Sequence, residues 1–453
     1  MFFQNLARFS DIGSNAYLLQ LGDTRIILDA GSHPKHTGLE TLPHYHDVEN
    51  DSVDSILISH PHLDHIGSLP CLIRGQRKAI VTMSEATLEV GCALLHNSVN
   101  VMKSQRHELN EPNYPLFSHK EIDRLEKQWF TREINRPFHL GENGGVDCEF
   151  FQAGHVLGAV GMNFHYKGES IFYTGDVHFE DQTMTKAARF PRKRVNTLIM
   201  ETTRGGTVRS PEYTREKEKQ RFGAAIAETL DGGGSVLVPV FAFGKTQEVL
   251  LMLKELADSG DIPRVPVHIG GLSTRMTRIA DKFRERPGRH HAGYCIMESF
   301  PDLEVLARGR SEPVYCPGNI YAVSSGMMSE HTVSNRFAKH ILSDPKNALL
   351  FVGYADPATP AGRIRQTAPG ASVLLNEATG FKMDLNCRVE TFDFSGHSSR
   401  EDLVEFAVSC DPDRVILVHG DPAAKKWFRK TLRKRLPDTI VKIPKPRKRI
   451  PLD

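Results

Sequence analysis

Four ligand-type side chains crowd into six positions of the chain. His60, His62, Asp64 and His65 form the pattern H-x-H-x-D-H at the end of the stretch SILISHPHLDH. Imidazoles and carboxylates at this density are costly to bury unless a cation neutralises them, and zinc favours nitrogen and oxygen donors of this kind. In an extended segment His60 and His62 point to one side and can chelate one ion. Asp64 and His65 lie just past the turn, placed for a second ion. Further donors are His155 in FQAGHVLGAVG, Asp176 in YTGDVHF and His419 in LVHGD. Each neighbours a glycine, which lets the backbone turn sharply and approach a ligand closely. A hydrogen-bonded histidine cluster without metal is the plainer alternative, and the density of donors weighs against it. The GKT at 244–246 follows a strand and opens a helix, but Pro239 stands where a phosphate-binding loop needs glycine.

The elements that must position these donors share one arrangement. A short run of Val, Ile, Leu and aromatics ends in a chemically competent residue and a loop. It occurs in RIILDAG at Asp29, SILISHPH at His60, SIFYTGD at Asp176, TLIMETT at Glu201 and RVILVHGD at His419. Strand ends of this kind are where α/β folds gather their chemistry. They come from both ends of the chain, so the termini are expected to fold together around one site. Between them, Ser210-Pro211 reads as a helix start, EYTREKEKQRFGAAIAETL as an amphipathic helix, and Gly232 to Gly234 as its stop. Strand–helix alternation then continues to about residue 370, consistent with a parallel α/β insert. The last dozen or so residues are the one candidate for disorder.

With 453 residues, two or three domains are expected. The 40% apolar and 25% charged composition is that of an ordinary soluble protein. No apolar run is long enough for a membrane helix, and MFFQNLARFSDIGSN lacks the features of a signal peptide. Seven scattered cysteines without a CxxC pair read as buried thiols in a reducing cytoplasm. Net charge is only +2, but basic residues cluster in KAARFPRKR and in KKWFRKTLRKRLPDTIVKIPKPRKRI. Such runs are either solvated faces or contacts to a polyanion.

Taken with Asp29, the set His60-x-His62-x-Asp64-His65, His155, Asp176 and His419 resembles the metallo-β-lactamase superfamily. The resemblance implies an αββα sandwich carrying two zinc ions, although the same donors also suit manganese. It implies that His60, His62 and His155 hold one ion, that Asp64, His65 and His419 hold the other, and that Asp176 bridges them. Asp29 is then the residue that orients a ligand histidine through its second ring nitrogen. His62 stands where the flavin/di-iron oxidoreductase branch has glutamate, which favours hydrolysis.

The insert narrows the reading. The stretch between METTRGG and TFDFSGHSS resembles the β-CASP cap of nucleic-acid-processing members, whose added motifs match Glu201, His397 and His419. PVFAFGKTQEVL, SSGMMSE and FVGYADPATPAGR also match. The histidine at the third motif resembles RNA-acting rather than DNA-acting members. The chain thus resembles the minimal core of the β-CASP RNA-processing nucleases, and the expectation of no KH-type extension and no large dimerisation domain argues against a full-length RNase J while leaving a homodimer open. The implied domains are 1–205 and 371–453 for the metallo-β-lactamase fold, the latter with a basic tail, and 206–370 for the cap. The implied activity is hydrolysis of RNA, as an endonuclease or a 5′→3′ exonuclease, through a metal-bridging hydroxide, leaving 5′-phosphate and 3′-hydroxyl ends. Asp64, His397 and Glu201 are the expected catalytic residues, His397 protonating the leaving oxygen and Glu201 holding it charged. Ser324, Ser325, Gly326, Ser395 and Ser398 are candidate phosphate contacts, with local turns as the alternative. The competing functions are a small-ester or phosphodiester hydrolase and a non-cleaving RNA-binding scaffold. His331 and the prolines of GYADPATPAGR depart from the family pattern, both in the cap.

Overall fold

Alternation along two short strands lays out the larger part of the fold. In Thr24–Leu28 and Ser55–Leu57, Ile26, Leu28 and Leu57 face one apolar cluster while Ile27 and Ile56 face another. Both faces are buried, so these strands lie inside a layered structure rather than at its surface. The computed structural model describes residues 1–141, 145–307 and 314–452. It divides into two compact units, one of residues 1–181, 186–209 and 396–453, the other of residues 182–185 and 210–395.

The first unit holds two seven-stranded sheets. One runs in the order Arg449–Pro451, Phe2–Asn5, Tyr17–Leu21, Thr24–Leu28, Ser55–Leu57, Ile80–Met83 and Trp129–Thr131. The other runs Ile440–Lys442, Arg414–Leu417, Thr197–Met200, Glu169–Tyr173, Val160–Tyr166, Val146–Gln152 and Phe138–Leu140. Their inner faces interdigitate through residues such as Phe3, Leu19 and Leu57 from one and Phe150, Phe164 and Ile199 from the other. On the outer face of the first sheet, Leu69, Leu72, Leu95 and Val99 come from helices. On the outer face of the second, Phe172 packs against Phe406 of the helix Arg400–Cys410. Helices thus cover both sheets, in an αββα sandwich.

The sandwich is closed by the chain ends. Residues 449–451 pair antiparallel with Phe2, Phe3 and Gln4, and the Leu452 amide donates to the Met1 carbonyl. The expectation of a disordered tail is therefore corrected, because backbone pairing covers what would have been an edge strand. All five strands that lead to chemistry-bearing residues are present, and they pair as neighbours: 24–28 beside 55–57, and 169–173 beside 197–200 beside 414–417, all in parallel.

The second unit is a six-stranded sheet in the order Leu303–Val305, Val267–Ile269, Ile320–Val323, Val236–Pro239, Ala348–Phe351 and Arg388–Thr391, parallel throughout. It extends to Ser395 rather than ending at 370, because Arg388–Thr391 pairs with Ala348–Phe351 and Leu385 and Cys387 join its core. The helix predicted from Ser210-Pro211 begins at Arg215, capped by the Thr214 hydroxyl, which accepts from the Lys217 amide. Its stop at Gly232 is where expected. Among the described residues no helix is long and apolar enough to cross a membrane, and none of the seven cysteines is in a disulfide.

A buried carboxylate anchors residues 182–185 within this unit. Glu248 accepts from the amides of Thr183 and Met184 and pairs with Arg215. Burial raises its pKa, but the Arg215 and Lys245 charges and the two amides outweigh that and hold it below the ordinary glutamate range. Its contribution to stability is therefore complete above the unfolded value of about 4.3 and is lost as pH falls through the lower native value. Glu248→Gln is expected to cost about 3 kcal/mol near neutral pH. Urea melts should show that deficit at pH 7 and a narrowing gap to wild type as pH falls below about 4.

Candidate metal centre

The H-x-H-x-D-H segment is organised by a turn rather than by an extended strand. The strand Ser55–Leu57 ends before His60, and His62 is the N-cap of the four-residue helix Leu63–Ile66. His60 and His62 converge through this bend, with ring centroids 4.9 Å apart. A helix so short cannot satisfy its own carbonyls. Loop amides do so instead: Ala30 donates to the His65 carbonyl, Ser32 to Leu63 and Asn15 to Asp64, at 2.7–2.9 Å. The close approach explains Gly31, where a Cβ would lie 1.7 Å from the Asp64 carbonyl oxygen.

Below this turn sits Asp29, fully buried at the end of the strand Thr24–Leu28 and held at φ 61°. Its Oδ1 accepts the Ser59 amide at 2.7 Å; its Oδ2 accepts the Ser59 hydroxyl at 2.9 Å, His65 Nδ1–H at 2.7 Å and the Tyr173 hydroxyl at 2.5 Å. With Nδ1 committed, His65 turns Nε2 toward Asp64 and Asp176, 3.7 and 3.5 Å away. His155 is fixed in the same way, Nδ1–H donating to the Gly396 carbonyl at 2.7 Å.

Asp176 lies between two groups of donors. Its Oδ2 is 3.5 Å from His60 Nε2 and 3.7 Å from His155 Nε2; its Oδ1 is 3.5 Å from His65 Nε2 and 3.2 Å from His419 Nδ1. Ligand atoms within 4.8 Å of one another fall into the sets His60–His62–His155, Asp64–His65–His419 and His60–His65–Asp176, and into two that bring in Glu201 and His397. All seven expected ligands are thus in one cluster, within the first unit. His60 Nε2 and Asp176 Oδ1 are buried without a hydrogen-bond partner. Orphaned lone pairs aimed at other donors, in a set of imidazole nitrogens and carboxylate oxygens, fit divalent metal.

The electrostatics separate the two sides. Burial drives His60 and His155 well below the ordinary histidine range, reinforced by neighbouring imidazoles, and drives His62 down to about 4 despite Asp64. These rings are neutral, the form that coordinates metal. His65 goes the other way: burial lowers it, but Asp176, Asp29 and Asp64 together raise it to about 10. Burial raises the Asp176 carboxyl, against the pull of His419 and His65. One carboxylate-rich half thus attracts positive charge that the other half does not carry.

Beside the donors, His397 Nδ1–H donates to both oxygens of Glu201 at 3.1 Å. Glu201 is fully buried and also accepts the Val177 amide at 2.7 Å. The burial penalty on Glu201 is outweighed by His397, bringing it to about 2; His397 is correspondingly raised, Glu201 and Asp176 outweighing its burial. The pair is therefore a carboxylate–imidazole dyad whose ring is biased toward its charged form.

The candidate phosphate contacts are dispersed. Ser398 belongs to the first unit, where its Oγ accepts the Phe179 amide at 2.9 Å. Ser324, Ser325, Gly326 and Ser395 belong to the second unit. Ser324 follows the strand Ile320–Val323, and Ser325 Oγ accepts the Ser329 amide at 3.3 Å, as in a local turn. Four supporting residues escape sequence reasoning: Asn15, whose Nδ2 meets His65 Nε2 at 3.1 Å; Ser59; Tyr173; and Thr203, whose hydroxyl meets His419 Nδ1 at 2.8 Å. Only Ser59, adjacent to His60, carried a positional hint.

Comparison with known proteins agrees with this geometry. Residues 10–219 match the profile of the Metallo-beta-lactamase superfamily, residues 246–364 the Beta-Casp domain, and residues 382–444 the Zn-dependent metallo-hydrolase RNA specificity domain. The chain is 28% identical to "Cleavage and polyadenylation specificity factor subunit 3" of Dictyostelium discoideum, over 93% of this chain and 54% of that protein. It is 29% identical to "Endoribonuclease ysh1" of Schizosaccharomyces pombe, over 99% and 58%. It is 27% identical to "Transcription termination factor FttA" of Pyrococcus horikoshii, over 92% and 66%. The chain thus spans about half to two-thirds of the length of these relatives. A crystal structure of a protein of unknown function from Enterococcus faecalis V583 has the same fold, at TM-score 0.59 and 14% identity over 99% of both chains.

Asp29→Asn is expected to lower divalent-metal affinity about 10–100-fold, because the amide can no longer accept from His65, Ser59 and Tyr173 together. Zinc titration against a chromogenic chelator, with near-UV circular dichroism to verify folding, measures this directly.

Proposed function

We propose, from its matches to the Metallo-beta-lactamase superfamily, Beta-Casp and RNA specificity domain profiles, that this chain is a zinc-dependent ribonuclease. It hydrolyses RNA phosphodiester bonds in processing or decay, leaving 5′-phosphate and 3′-hydroxyl ends. The observation that carries the proposal is the position of Asp176, one oxygen toward each donor group, with the His397–Glu201 dyad alongside. The names of the relatives, an endoribonuclease and a polyadenylation-factor subunit, support RNA as the substrate.

In this reading His60, His62 and His155 would hold one ion and Asp64, His65 and His419 a second, with Asp176 within reach of both groups. Divalent cations held there would supply Lewis acidity, to lower the pKa of a water and to offset charge on the phosphoryl oxygens. The remaining steps belong to the protein. Asp29, Ser59 and Tyr173 keep the His65 ring from rotating. Glu201 holds His397 as an imidazolium, which gives its proton to the departing 3′ oxygen as the P–O bond breaks. Ser395 and Ser398, and the Ser324, Ser325 and Gly326 loop, are proposed to contact flanking phosphates. The thiol state of the seven cysteines supports a reducing compartment such as the cytoplasm.

The test uses one RNA of 25 nucleotides, labelled at its 5′ end in one sample and its 3′ end in another. Each is incubated with zinc-loaded protein and with an Asp64→Ala, His65→Ala variant. Early 5′-labelled mononucleotide identifies a 5′→3′ exonuclease, and early internal fragments identify an endonuclease. Loss of all cutting is expected in the variant, and His397→Ala is expected to lower kcat by about 10²–10⁴-fold. If protein with both metals verified leaves the RNA intact, the ribonuclease reading is wrong.

A further inference from the structure

The helix Pro422–Arg435 starts directly after the donor-bearing segment at His419 and carries seven cations and no carboxylate. The whole chain has a net charge of only +2, so this is a local concentration of charge. The helix is amphipathic in an uncommon way. Ala424, Lys425, Phe428 and Leu432 are buried against the fold. Lys426, Lys430, Arg433 and Lys434 are exposed and Arg429 is half-buried. At 100° per residue these five cations fall within about 140° of arc, opposite the buried face.

Neighbouring acids do not neutralise them. The adjacent helix Arg400–Cys410 offers Glu401, Asp402 and Glu405. Glu405 pairs with Arg435, Glu401 with Arg400, and Asp402 accepts from Ser399. Among the described residues, none of Lys426, Arg429, Lys430, Arg433 and Lys434 is in an ion pair. Complementing the helix dipole accounts for cations in the last turn, Arg433 and Lys434. It does not account for Lys426, Arg429 and Lys430 in the first half and middle.

The path of the helix gives the charge a direction. The strands Arg414–Leu417 and Ile440–Lys442 are parallel neighbours, so the helix joining them runs from the strand ends that carry His419 back to the opposite edge of the sheet. The cationic stretch from residue 426 to 434 covers about 12 Å along its axis. At its start Arg400 lies over the Trp427 ring at 4.3 Å, a cation–aromatic pair of the kind on which bases stack.

We propose that this face is a tracking surface for single-stranded nucleic acid, holding the phosphates of the strand that flanks the bond presented at the metal centre. It rests on the nuclease reading for the identity of that strand. Recognition is through backbone charge and is independent of sequence.

The test is equilibrium binding by fluorescence anisotropy of a labelled 30-nucleotide single strand across a potassium chloride series. Wild type is compared with a Lys426→Gln, Lys430→Gln, Arg433→Gln, Lys434→Gln variant and with a charge-preserving Lys426→Arg, Lys430→Arg variant. Loss of four phosphate contacts should make the slope of log K against log salt shallower by about 3, and weaken binding at 0.1 M about 10²–10³-fold. The arginine variant should match wild type, and kcat/KM for a hexanucleotide RNA, which engages the metal centre alone, should change less than about twofold in the glutamine variant. An unchanged slope overturns the proposal, as does displacement of the strand by polyglutamate of equal charge at equal potency, which would mark an acidic-protein surface instead. Wild type that binds with the expected slope yet never cuts RNA would overturn the nuclease reading and leave this surface standing.

Discussion

A single buried carboxylate, Asp29, is the constraint around which the candidate metal centre is built. It accepts four hydrogen bonds, from the Ser59 amide and hydroxyl, from His65 and from Tyr173. Asp29 ends a strand of one sheet and Tyr173 ends a strand of the other, so the carboxylate ties the two layers together at the edge where the donors gather. Its left-handed backbone conformation is unfavourable for a non-glycine residue and persists because these contacts over-determine it. His419, on the opposite side of the cluster, is also held at positive φ, at 40°. Two of the eleven described non-glycine residues at positive φ thus carry side chains that meet in this cluster.

The cluster is electrostatically divided. Three imidazoles, His60, His62 and His155, are kept neutral by burial and by one another, while His65 is surrounded by three carboxylates. Asp176 lies between the halves. Such an arrangement is unfavourable for an isolated polar cluster and favourable for one that receives cations, because positive charge then satisfies the orphaned His60 and Asp176 atoms together. The Glu201–His397 pair sits beside this cluster, and Asp176 adds to the pull of Glu201 on the His397 ring.

Chain topology serves the same end. The strand at 414–417 comes from the C-terminal part of the chain and pairs beside 197–200, which delivers His419 to donors contributed more than 200 residues earlier in sequence. The final strand at 449–451 then closes the first sheet against residues 2–4. The helix between 414–417 and 440–442 uses its apolar side for packing and leaves its cationic side outward.

Residue type and spacing by themselves singled out the clustered imidazoles and carboxylates, the five strands that lead to them and a parallel α/β insert. Those features are legible because ligand chemistry and hydrophobic alternation are local properties. The spread of the second unit to Ser395, the pairing of the terminal strand and the roles of Asn15, Ser59, Tyr173 and Thr203 were decided only by tertiary structure. Each of these depends on a partner far away in the chain. A serine, tyrosine or asparagine carries no signal of its own until folding places a buried carboxylate or imidazole within hydrogen-bonding reach.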